Sequence, residues 1–133
     1  MNFEKEYEKF TGGPNVPNNE RIHVTINKMG VIYLNRNCHR MLGQPAAVHL
    51  FFNRIKDRIA IKKVQPLLAD AFPLKEKPGY YLIHASPFCR NYGIRLDTTE
   101  KFVRPDIDSD GILYLDLTNT LSVTKIRPDR KKK

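Results

Sequence analysis

Residues 22–43 read IHVTINKMGVIYLNRNCHRMLG, and the fold turns on this stretch. Ile22, Val24 and Ile26 alternate with His23, Thr25 and Asn27, the period-2 pattern of a half-buried strand. Lys28-Met29-Gly30 makes a turn, and Val31-Ile32-Tyr33-Leu34 makes a second strand. Asn35 is placed to cap a helix. Cys38, Met41 and Leu42 fall on one face at helical spacing, and Gly43 supplies the stop, so a helix of about two turns is predicted.

Working outward, Val48, Leu50 and Phe52 alternate again, residues 53–57 form a polar turn, and Ile59 and Ile61 continue as a strand. The first unit is therefore strand, strand, helix, strand, strand. The order recurs about 50 residues on, an internal duplication. Phe72 and Leu74 lead to the turn Lys75-Glu76-Lys77-Pro78-Gly79 and the strand Tyr80–His84. Ser86-Pro87 then opens a helix, with Ser86 as cap and Pro87 at the first helical position. Phe88, Cys89 and Tyr92 form its buried face and Gly93 ends it. Residues 101–103 and 112–115 flank a turn at Asp108-Ser109-Asp110-Gly111.

With 133 residues the chain suits one compact domain, large enough to bury a core without staples. Residues 1–20 carry Gly-Gly-Pro and Asn-Val-Pro-Asn-Asn linker chemistry and read as a flexible leader. Residues 21–124 read as a single barrel domain, unit one being 21–64 and unit two 65–124. Residues 125–133 read as a flexible basic tail. The acidic start is neither a signal nor a transit peptide, and no apolar run approaches the roughly 20 residues of a membrane span. Two cysteines make no disulfide framework and fit a reduced, cytoplasmic protein.

The net charge of +9 is segregated. Residues 21–64 hold nine Lys and Arg against Asp57 alone, and the tail holds six against Asp129, whereas residues 1–20 and 65–124 are each net acidic. Concentration of charge in one internal segment and one tail is the footprint of a polyanion partner. The internal set comprises Lys28, Arg36, Arg40, Arg54, Lys56 and Arg58, with Lys75 and Lys77 at the equivalent turn of the second unit. Arg130, Lys131, Lys132 and Lys133 would add phosphate contacts without reading bases.

This order of elements, with a glycine between the first two strands and another ending the helix, resembles the AbrB/MazE/SpoVT swapped-hairpin family of DNA-binding domains. The tandem arrangement in one chain resembles MraZ-like proteins. The resemblance covers residues 21 to about 64 well and 71–117 more loosely. It implies a mostly β fold with two short helices, a pseudo-twofold barrel of two ββαββ units. It also implies that Lys28, Asn35, Arg36 and Arg40 face duplex DNA, with Asn27 as a base reader, since an amide bonds adenine bidentately. Val31 and Tyr80 stand directly after the turn glycines, where family members often carry a basic residue.

Other chemistries find little support. Counting from Asp106, the twelfth position of a calcium loop is Leu117, which cannot supply the bidentate carboxylate, so a hairpin turn explains that acidic run. Cys38, His39, Cys89 and His23, His49 and His84 match no zinc spacing. No phosphate-binding glycine loop, nucleophile elbow or paired-carboxylate helix is present, so neither an enzyme nor a cofactor is expected. Phe51, Phe52, Tyr80 and Tyr81 pair as in strands packed on both faces; core packing is their commoner fate, and any exposed member would suit stacking on single-stranded bases. The expected function is a duplex-DNA-binding transcriptional regulator or antitoxin-like protein. The alternatives are a protein-interaction or assembly module, including a homo-oligomer, and an RNA-binding accessory protein. The expected core is Val24, Ile26, Leu34, Leu42, Val48, Leu50, Ile61, Leu82, Phe88 and Leu115.

Overall fold

The structure, a computed structural model, describes residues 21–123. The expected leader lies outside the described residues, as do residues 124–133 with Arg130, Lys131, Lys132 and Lys133. The first half gives β1 (Val24–Ile26), β2 (Val31–Asn35), α1 (Arg36–Met41), β3 (Ala47–Asn53) and β4 (Arg58–Val64). The second gives β5 (Phe72–Lys77), β6 (Tyr80–His84), α2 (Ser86–Tyr92), β7 (Glu100–Phe102), β8 (Asp106–Ile107), β9 (Leu113–Asp116) and β10 (Thr120–Ser122). The described chain is thus mostly β with two short helices, its sheet curled into a half-barrel. No helix among the described residues is long and apolar enough to cross a membrane.

Local chemistry sets the turns. The Asn27 side-chain oxygen accepts the amides of Met29 (2.9 Å) and Val31 (3.0 Å), and Gly30 closes the loop at φ 81. Asp108 does the same in the second half, accepting from Asp110 (2.9 Å) and Ile112 (3.0 Å), with Gly111 at φ 80. Both are short hairpin loops whose Asx side chain replaces a backbone partner and whose glycine takes the left-handed position.

The strand order is β10-β7-β1-β2-β6-β5-β3-β4-β9-β8, all neighbours antiparallel. The halves are interleaved: β1 pairs with β7, β2 with β6, β5 with β3 and β9 with β4. Neither half's core is closed without the other. Val24, Ile26, Ile32, Leu34 and Val48 of the first half meet Ile83, Phe88, Phe102, Leu113 and Leu115 of the second in one buried cluster.

Eight of the ten expected core residues are buried; Leu50 and Leu82 are half-buried. Leu50 still packs on the core. Leu82 faces outward, because Ile83 and Tyr81 take the inner side of β6 and successive strand residues alternate. Lys75 and Lys77 are not turn residues: they lie in β5, paired with Leu82 and Tyr80, and the turn is the Pro78-Gly79 pair alone. The second half also carries one hairpin more than a ββαββ unit. Residues 108–111 join β8 to β9, while β7 joins β1 and β10, so 101–103 and 112–115 do not flank one another. At α2 the cap position is Ala85, with no side-chain cap, and Ser86 is the first helical residue, its hydroxyl accepting from Arg90 (2.9 Å).

Candidate nucleic-acid interface

The β2–β6 pair organises the basic side chains. Val31 faces His84, Tyr33 faces Leu82 and Asn35 faces Tyr80, so each half's first turn lies beside the start of the other half's helix. At one end the contact is tight: the Ala85 amide donates to the Gly30 carbonyl (2.9 Å), and a Cβ on Gly30 would stand 2.9 Å from the Ser86 Cα. Between this turn and α2 opens a cleft of about 510 Å³, lined by Lys28, Met29, Cys89, Arg90, Arg95 and Asp97 among others. Three cations thus converge from two halves on one concave surface, against one carboxylate.

At the other end Asn35 and Tyr80 are register partners, as are Tyr80 and Lys77. Arg36 follows Asn35 directly, and Arg36, Arg40, Lys75 and Lys77 are all exposed. Arg40 donates to the Asn37 side-chain oxygen. The helix is seated by His39, whose buried ring stacks on Tyr81 at 3.6 Å between centroids and bonds the Pro45 carbonyl (2.8 Å). The two ends are separated by the length of β2, roughly 13 Å.

Of the two amides expected at the interface, Asn35 is engaged inside the protein, whereas Asn27 lines the cleft beside Lys28. Asn35 caps α1, its oxygen accepting the amides of Cys38 (3.0 Å) and His23 (3.1 Å), while its nitrogen donates to the Arg21 carbonyl (2.7 Å). Asn27 spends its oxygen on the turn. Arg54 and Lys56 belong to the separate β3–β4 turn, where Arg54 sits over the Tyr92 ring (5.1 Å), and Arg58 opens β4 and lies 3.8 Å from Asp116.

Arg90 and Arg95 were not among the sequence candidates, because unit two is net acidic as a whole. The available signal was Arg90 one helical turn beyond Ser86, at the place where a cross-half contact would bring it to Lys28.

Both cysteines are free and buried: burial pushes the Cys38 thiol up to about 12, and burial also raises Cys89. His23 is held below the ordinary histidine range, by burial first and then by Lys101 and Arg21. No family model, curated protein or solved structure matches this chain.

Proposed function

We propose that this protein binds nucleic acid, duplex DNA foremost, as a transcriptional regulator or antitoxin-like protein, without catalysing a reaction. The observation that carries this is the cleft that brings Lys28 together with Arg90 and Arg95 at one end of β2–β6; at the other end the exposed Arg36 and Arg40 stand on the helix that begins beside Asn35, across Tyr80 from the exposed Lys77 in register. The strand β2 that lies between the two ends spans roughly 13 Å, comparable to the width of the DNA major groove, about 12 Å, a scale on which the two ends can each meet a phosphate backbone. Asn27 and Asn35 serve this surface by fixing the turn and the helix that carry the cations.

The architecture we assign is the swapped-hairpin pseudo-twofold barrel. Its support is the strand order. When β1, β2, β3 and β4 are matched with β5, β6, β7 and β10, the run β10-β7-β1-β2-β6-β5-β3-β4 reads identically from either end, with β8–β9 as an appended hairpin. With Gly30 matched to Gly79, the β2–β6 register also maps onto itself about Tyr33 and Leu82. Two free, buried cysteines suit a reducing cytoplasm.

Fluorescence anisotropy of a labelled duplex, titrated with the full chain at several salt concentrations, tests the function. Affinity falling with a log–log slope of about −0.9 per phosphate contact supports it. Absence of salt-dependent binding at low ionic strength overturns it.

A further inference from the structure

Beside Lys77, which the proposed duplex contact also uses, the outer face of the sheet carries a second set of groups that the basic clusters do not use. Val24, Ile26, Ile32, Leu34 and Ile83 are fully buried, so the alternate residues of the same strands point away from the core. Cross-strand partners run in a row over that face: Lys101 on β7, Thr25 on β1, Tyr33 on β2, Leu82 on β6 and Lys75 on β5. Tyr80, the register partner of Lys77, adds a second ring; its centroid lies 5.0 Å from that of Tyr33, tilted by 31°. Both rings are half-exposed.

The face is aromatic in the middle and cationic at both edges. Glu76 and Glu100, the carboxylates of these strands, fall by alternation on the opposite side, in register with Tyr81 and Ile26. His23 is held below the ordinary histidine range by burial first, with Lys101 and Arg21 adding to it. Paired rings between lysines match a strand whose bases are free to lie flat while its phosphates reach cations on either side. A duplex keeps its bases stacked inside and presents no such faces.

We propose that the outer face of β7-β1-β2-β6-β5 is a stacking platform for unpaired bases, so that the ligand of this face is single-stranded nucleic acid. Such a platform presupposes the nucleic-acid role proposed above and adds a contact mode distinct from the backbone clamp.

The test compares a short labelled oligothymidylate with a labelled duplex, using the full chain and its Tyr33→Ala, Tyr80→Ala, Tyr33→Leu and Tyr80→Phe variants. Melting curves identify folded variants. Tyr33→Leu keeps apolar bulk on the sheet and removes the ring, so it remains informative if an alanine variant unfolds. The platform requires that alanine or leucine variants lose about 5- to 150-fold in single-strand affinity, as expected for one stacked base. Tyr80→Phe should retain wild-type affinity, and duplex affinity should stay within about 2-fold, far below the cost of a lost stack. Unchanged single-strand affinity in a folded variant overturns it, as does equal loss toward both ligands. A shift of the folded variants in size-exclusion volume without loss of single-strand affinity also overturns it, the face then being a self-association surface. Salt-dependent duplex binding with no single-strand binding by the wild type sinks the platform and leaves the clamp standing; binding of neither sinks both.

Discussion

The turn at Gly30 and the turn at Gly79 hold matching positions in the two halves, yet they are built differently. Gly30 is buried at φ 81 with the Ser86 backbone where a side chain would begin, whereas Gly79, at φ 89, has open space around it. The first turn is a four-residue loop pinned by Asn27 and pressed against α2; the second is a Pro-Gly pair with its cations displaced onto β5. One turn is therefore a joint between the halves that also carries Lys28. The other is free of structural duty, and its cations are placed by strand register alone.

The largest expected difference separates these two glycines. Gly79→Ala should cost only the left-handed penalty, about 1 to 2 kcal/mol. Gly30→Ala adds a backbone clash of the kind that costs about 1 to 3 kcal/mol in a packed core, so the total should be about 2 to 5 kcal/mol by chemical denaturation. Equal losses would mean that the turns are equivalent after all. Next in size, Asn35→Ala should destabilise by about 0.5 to 2 kcal/mol, since it removes the α1 cap along with bonds to His23 and Arg21. The second half offers no counterpart, because Ala85 caps nothing with its side chain.

The smallest effect is a titration. The depressed His23 proton affinity means that the neutral ring is favoured in the fold. Its contribution to stability is present at neutral pH and is lost as pH falls from the ordinary histidine range through the lower folded value. Lys101→Ala should move the His23 midpoint upward in an NMR titration, with burial keeping it below the ordinary value.

The first half was legible because its strands alternate cleanly and its cap and glycine residues are unambiguous: residues 22–43 predict β1, β2 and α1 to within a residue or two. The second half was not, for reasons visible in particular residues. Tyr80-Tyr81-Leu82-Ile83 is apolar throughout, so its inner face is set by register with β2 and not by pattern, which is how Leu82 was misassigned. Lys75-Glu76-Lys77 has turn-like composition, but cross-strand pairing with β6 holds it extended. A two-residue strand such as β8 leaves no periodicity to read. The expected cations Lys28, Arg36, Arg40 and Lys77 were visible from charge. Their division between two ends, and the entry of Arg90 and Arg95, depend on pairing between distant strands that no local pattern encodes.

Duplex DNA binding by two cross-assembled clusters is tested most directly by salt-dependent anisotropy of three proteins: wild type, Lys28→Ala with Arg90→Ala, and Arg36→Ala with Lys77→Ala. Each double variant should remain folded and lower the magnitude of the log–log salt slope by roughly two units, one per phosphate contact removed. A wild-type slope retained by either double variant would contradict the two-ended clamp.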